Sequence, residues 1–160
     1  MAPRRSATGE KVTGARNQQT ARAGEHFVAA EPNRRGAYAV TFAGNMPGMD
    51  ILASNLKNTR TVSIQVKTRR VGTWHTSGEE GRHPPKARHF WLFVELNTGG
   101  SPGYYIVPDR WMRADIRRLY EPYMRRYKKE KGSPRKSKHQ KITTQQIARW
   151  KGRWDLLKVF

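Results

Sequence analysis

Residues 50–69 read DILASNLKNTRTVSIQVKTR, and this stretch decides the fold. In TVSIQVKTR, Val62, Ile64 and Val66 alternate with Ser63, Gln65 and Lys67. Side chains along a strand point to opposite faces in turn, so one face is apolar and belongs to a core. The other face is polar and needs a different purpose. DILAS is a shorter apolar run, and the polar residues between the two read as a turn. A turn centred between Lys57 and Asn58 sets Asp50 directly opposite Gln65. Opposed residues share a face with side chains about 5 Å apart. Lys67 lies on that face too, two positions further on. An acid, an amide oxygen and an amine therefore converge on one polar patch, and a slip of one residue would scatter them.

Working outward, residues 18–31 (QQTARAGEHFVAAE) read as an alanine-rich helix that should end or kink at Pro32, with Gly36 as a stop. Residues 37–42 (AYAVTF) have strand composition, and the loop AGNMPGM leads to Asp50. Residues 72–88 form a long polar loop. HFWLFVEL and GYYIVP are two further strands around the Gly-rich turn NTGGSPG. Trp111, Ile116, Leu119 and Tyr123 recur at near-helical spacing, with Pro122 as a point of interruption. Residues 125–142 are densely basic, with Gly132 and Pro134 among them, and read as a linker. Thr143 or Thr144 can cap a last helix, and the closing WDLLKVF is apolar enough to dock on the core. The expected organisation is a disordered basic arm over 1–17, an α/β core over 18–124, the linker over 125–142 and a docking C-terminal segment over 143–160. The sheet is mixed, with about five strands, and helices flank it.

A net charge of +20 on 160 residues points to a polyanionic partner. Nucleic acid is the commonest, because each neutralised phosphate releases condensed counterions. No apolar run reaches the length of a membrane span, so no membrane partner is expected. There is no cysteine, which excludes disulfides, thiolate zinc sites and thiol catalysis. That suits a reducing cytoplasm, where a DNA-binding protein would lie with the nucleoid. His26, His75, His83, His89 and His139 lack metal-ligand spacing.

The patch formed by Asp50, Gln65 and Lys67 suits phosphodiester hydrolysis. A hard cation such as magnesium takes oxygen ligands, commonly one or two carboxylates. It can polarise phosphorus and acidify water, while a lysine stabilises developing negative charge. Glu25, on the helix ahead of the sheet, is the best candidate for a second carboxylate.

These residues give the chain a resemblance to the PD-(D/E)XK nuclease superfamily, above all its Holliday-junction-resolvase-like and methyl-directed-restriction-like branches. The resemblance is carried by Gly24-Glu25-His26-Phe27-Val28-Ala29-Ala30, Arg35-Gly36, Gly48-Met49-Asp50-Ile51-Leu52-Ala53 and Ile64-Gln65-Val66-Lys67-Thr68. It spans roughly residues 20–110 and implies a restriction-endonuclease-like core. It implies that Glu25, Asp50, Gln65 and the backbone carbonyl of Val66 ligate Mg2+ or Mn2+, with Lys67 as the motif lysine. It also implies a metal-dependent endodeoxyribonuclease with DNA as substrate, acting as a homodimer. Two positions depart from the pattern. Met49 stands where a proline is expected. Gln65 replaces the second acid, so the cation loses one unit of compensating charge.

Arg4, Arg5, Arg69, Arg70, Lys128, Lys129 and Arg135 are the candidate phosphate contacts, and Trp74, beside Arg69 and Arg70, is the aromatic most suspected of touching DNA. The blander readings are a solvated strand face for Gln65 and Lys67, a surface acid for Glu25 and core packing for Trp74. The alternative function is a nucleic-acid-binding protein on a nuclease fold that does not cut. RNA fits the charge equally, but no dedicated RNA motif is present.

Overall fold

The computed structural model describes residues 7–42, 46–97 and 99–160, with side chains from residue 13 onward. Five strands form a mixed sheet: β1 (Tyr38–Thr41), β2 (Ile51–Ser54), β3 (Thr61–Arg69), β5 (His89–Glu95) and β6 (Gly103–Pro108), adjacent in that order. All neighbours are antiparallel except β3 and β5, which run parallel. A parallel pair needs a crossover. The segment between these two strands supplies it, with β4 (Trp74–Ser77) and a 3-10 turn over Gly78–Arg82. Helix α1 (Ala7–Arg34) lies on one face and α2 (Asp109–Lys131) on the other.

The alternation of β3 continues across the sheet. Val62, Ile64 and Val66 join Phe90, Leu92, Val94 and Ile106 in a core closed by Val28 of α1. Trp154, Leu157 and Val159 dock into this same core. On the opposite face, Trp91 and Phe93 of β5 and Tyr105 and Val107 of β6 pack against Met112, Ile116 and Tyr120 of α2. Gln65 is paired with Trp91 and Lys67 with Phe93. The polar half of β3 therefore sits at the margin of a second core. β5 is buried along almost its whole length, as befits a strand covered on both faces.

Several elements differ from the sequence reading. α1 starts at Ala7, so residues 7–17, expected within a disordered arm, are helical; residues 1–6 lie outside the described residues. Residues 7–17 hold two glycines and two threonines, so their helix is an extension of the one nucleated over the alanine-rich residues that follow rather than a product of its own propensity. Pro32 neither ends nor breaks α1, which runs to Arg34. A proline in the last turn forfeits only one hydrogen bond. The chain is closed behind it by Ala37 N–H donating to Pro32 C=O at 2.9 Å and by Gly36 in the left-handed region (φ 88°). α2 passes through Pro122, and Gly132 (φ 70°) ends it. The basic stretch 125–142 is thus helix to Lys131, and its last four residues form β7 (His139–Ile142), paired antiparallel with β4. The long polar loop and the linker, read separately as irregular, make one two-stranded ribbon. The last helix shortens to α3 (Thr144–Ile147), with Thr143 and Gln146 exchanging both bonds of a capping box. Among the described residues no helix is long and apolar enough to cross a membrane.

Candidate functional site

The β2–β3 hairpin has the register read from the sequence, with Ile51 opposite Ile64 and Ser54 opposite Thr61. Asp50, one step before β2, therefore faces Gln65, and its own N–H donates to Ile64 C=O at 2.8 Å. Beyond that point β2 no longer pairs with β3. Val66 N–H turns instead to the Asp50 side chain and donates to Oδ2 at 2.7 Å. Gln65 Nε2 donates to the same oxygen at 3.1 Å. Oδ1 accepts no hydrogen bond from the described residues. Gln65 spends its amide nitrogen on Asp50, which leaves Oε1 as a free acceptor. In an extended strand a residue's N–H and C=O point the same way, so Val66 C=O also faces the Asp50 side.

Burial pushes the Asp50 carboxyl above its ordinary value, against the pull of the Val66 N–H, Lys67, Arg22 and Gln65. The site is short of compensating positive charge from a desolvated carboxylate's point of view. Arg22 links the remaining acid to it. Its Nη1 donates to Glu25 Oε2 at 3.0 Å, and its charge also acts on Asp50. Glu25 is 17% exposed in this pair. Lys67 is half-buried, with Nζ 6.0 Å from the Trp91 ring centroid.

A cavity of about 370 Å3 opens beside Gln65, lined among others by Gly48, Glu80, His83, Lys86, Trp91 and Arg113. Gly48 takes a left-handed conformation (φ 71°). A Cβ there would meet Lys86 Nζ at 3.1 Å and Gln65 Oε1 at 3.8 Å, so a second lysine and the glutamine oxygen both border the glycine. Lys86 is held through its backbone, whose N–H donates to Asp109 Oδ2 at 2.7 Å. Asp109 is a hub: Trp91 Nε1 donates to Oδ1 at 2.6 Å, and Arg113 Nε reaches both oxygens at 2.9 and 2.8 Å. Burial works against this charge, but those donors prevail and hold the carboxyl below the usual range. Arg113 also donates to Glu80. The loop that carries Lys86 is thereby fastened to the start of α2 and to the floor of the cavity.

The structure brings Asp50, Gln65, the Val66 backbone and Lys67 together, while Glu25 pairs with Arg22, whose charge is felt at Asp50. Among the described residues no three His, Cys, Asp or Glu side chains gather into a metal-binding group. The available set is two carboxylates with neutral amide and carbonyl oxygens. An all-oxygen set of this kind fits a hard divalent cation. Arg22, Lys86 and Asp109 were not singled out in the sequence. Asp109 followed by Arg113 one helical turn later, just after Pro108, was the available signal.

The proposed phosphate contacts divide. Trp74 is a correction: it is 1% exposed, donates Nε1–H to Val94 C=O at 2.9 Å and stacks edge-on to Phe93 and Tyr105. The β4–β7 pairing carries it into the core. Arg69 is a second correction. Its guanidinium lies 3.6 Å over the Trp74 ring and donates to Glu95, Thr144 and Gly72, so it is spent on internal bonds. Arg70 is exposed and donates to Thr20. Lys128 and Lys129 are exposed on α2, Arg135 lies over Tyr123, and Arg4 and Arg5 fall outside the described residues.

No family model matches the chain, and no curated protein matches it. Among solved structures it is similar to Hjc, a Holliday junction resolvase from the archaeal hyperthermophile Archaeoglobus fulgidus. The TM-score is 0.50 with 15% sequence identity, over 88% of this chain and 97% of that one. At that identity the likeness is one of architecture, and the architecture is a restriction-endonuclease-like fold with a mixed five-stranded sheet flanked by helices.

Proposed function

We propose that this chain is a divalent-metal-dependent DNA endonuclease that acts on branched DNA, with its cleavage centre at Asp50, Gln65 and Lys67. One observation carries the reading: Asp50 lies across from Gln65 at the point where β2 leaves β3, so that acid, amide and lysine share an open polar margin of the sheet. The architecture shared with a Holliday junction resolvase supports the choice of substrate. Asp50, Glu25, Gln65 Oε1 and Val66 C=O would hold magnesium or manganese. Bound there, the cation would supply Lewis-acid polarisation of a phosphodiester. Lys67 offers a positive charge to the phosphate as negative charge develops on it. The Gln65 amide and the Val66 N–H fix the Asp50 carboxylate, so its free oxygen is aimed before substrate arrives. Lys86, which lines the same cavity as Gln65, adds a second cation to this margin. Symmetric cutting of a four-way junction would require two copies of the chain.

The test is cleavage of plasmid and of a four-way DNA junction with magnesium, with manganese or with chelator. Wild-type protein should cut the junction in a metal-dependent way, and Asp50→Ala and Lys67→Ala should abolish cutting while binding persists. Cutting that survives both substitutions overturns the assignment. Binding by the wild type without cutting, under every metal, would return the non-cleaving reading.

A further inference from the structure

A second concavity shares none of its lining residues with the cavity beside Gln65. It measures about 820 Å3 and lies between α2 and the β4–β7 ribbon. The ribbon's register explains its character. Trp74 and Ile142 are paired and buried, so the residues next to them, His75 and Lys141, are paired on the outer side. His139, two positions before Lys141, shares that side, and its ring meets His75 edge-on at 6.4 Å. From the helix come Tyr123 and Arg126, three residues apart and so on one face. Arg135 closes the rim, its guanidinium 5.2 Å over the Tyr123 ring.

None of the lining residues is acidic, and Arg126, Arg135 and Lys141 form no ion pair among the described residues. Three cations are thus held at a concave surface without acidic partners, in company with three flat rings. That combination is the one by which proteins hold single strands: cations follow the phosphates and rings stack on exposed bases. Duplex DNA offers phosphates but hides its base faces, so a cleft lined by rings is better matched to unpaired nucleotides.

We infer that this cleft binds an unpaired nucleic-acid strand, with Arg126, Arg135 and Lys141 on phosphates and Tyr123, His75 and His139 as stacking surfaces. The inference is independent of the Asp50 site, because the cleft would hold a strand whether or not the protein cuts.

The experiment measures binding in chelator, so that no cleavage intervenes. Fluorescence anisotropy compares a labelled single strand of about 12 nucleotides, close to the span such grooves cover, with a duplex of the same length. Two double variants are compared: Arg126→Ala with Lys141→Ala in the cleft, and Lys57→Ala with Lys151→Ala on exposed positions elsewhere. Both remove the same charge. The cleft variant should bind the single strand about tenfold more weakly, with the duplex less affected, and its salt slope should fall by about 1.4, or 0.7 for each lost phosphate contact. The control should change affinity by less than about threefold. Photocrosslinking of a bromouracil strand to unmodified protein should label the peptide carrying Tyr123 or that carrying His139. Equal losses in the two variants, a larger loss for duplex, or crosslinks confined to other peptides would overturn the assignment.

Discussion

Thr68 packs so tightly against Gly24 that a Cβ on the glycine would fall 1.8 Å from the threonine Oγ1. The helix backbone itself rests on β3 at this point, and the position next to it, Glu25, takes its height over the sheet from the contact. Gly24→Ala should lower unfolding free energy by about 1–3 kcal/mol, the usual range for overpacking. Thr68 Oγ1 is buried without a hydrogen-bond partner among the described residues. Removing it in a Gly24→Ala, Thr68→Ala double variant should therefore recover part of the loss. Urea denaturation of the three proteins checks both statements.

Asp50→Asn should separate stability from activity. The carboxyl is raised by burial, so the folded state favours its protonated form. Its contribution is full at acid pH and is lost as pH rises through the raised value, leaving a cost at neutral pH. The amide keeps an acceptor for Val66 N–H and removes the charge. The thermal midpoint at pH 7 should rise, and the gap between variant and wild type should close as pH falls. Magnesium at ten times its Kd should stabilise wild type by about 1.4 kcal/mol and leave the variant unmoved. A thermal-shift titration reads both.

Lys86 and Asp109 should act as a pair. Lys86→Ala should reduce kcat/KM for junction cleavage by about tenfold, in the range of one lost charge-assisted contact. Asp109→Asn leaves the lysine in place but frees its loop, and should lower activity in the same direction while also destabilising the fold. A Lys86→Arg variant that recovers most of the rate would mark the charge rather than the stem as the active feature. Single-turnover cleavage distinguishes these outcomes.

His89 makes stability depend on acidity. It is buried beside Ser63, whose Oγ lies 2.7 Å from Nδ1, and burial pushes its pKa down to about 4. An unfolded histidine titrates near 6.5. The neutral ring therefore contributes stability that is present above about pH 6.5 and is lost as pH falls through about 4. Between pH 7 and pH 5 the loss should be about 2 kcal/mol. His89→Gln should flatten the profile in denaturant titrations across that interval.

The hairpin that carries Asp50 and Gln65 was legible because each residue of β3 states its own face. Three β-branched residues alternate with three polar ones, and only one register with β2 keeps both sets together. The ribbon was not legible. Trp74–Ser77 and His139–Ile142 are short, stand among glycine, proline and lysine, and depend for their order on each other rather than on local preference. Missing that pairing is what turned Trp74 outward in the reading of the sequence. Lys86 was hidden by the same kind of dependence: its position follows from a bond to Asp109, which no local pattern announces.

The pairing of Trp74 with Ile142 also sets a timetable. A chain emerging from the ribosome can close β2 on β3 early, since the two are neighbours in sequence. Strand β4 must wait until the whole of α2 and the basic turn after it have been made. Until Ile142 is made the indole can be covered only from the side of Phe93 and Tyr105, and the heavily cationic intermediate is open to association with its own kind or with stray polyanions.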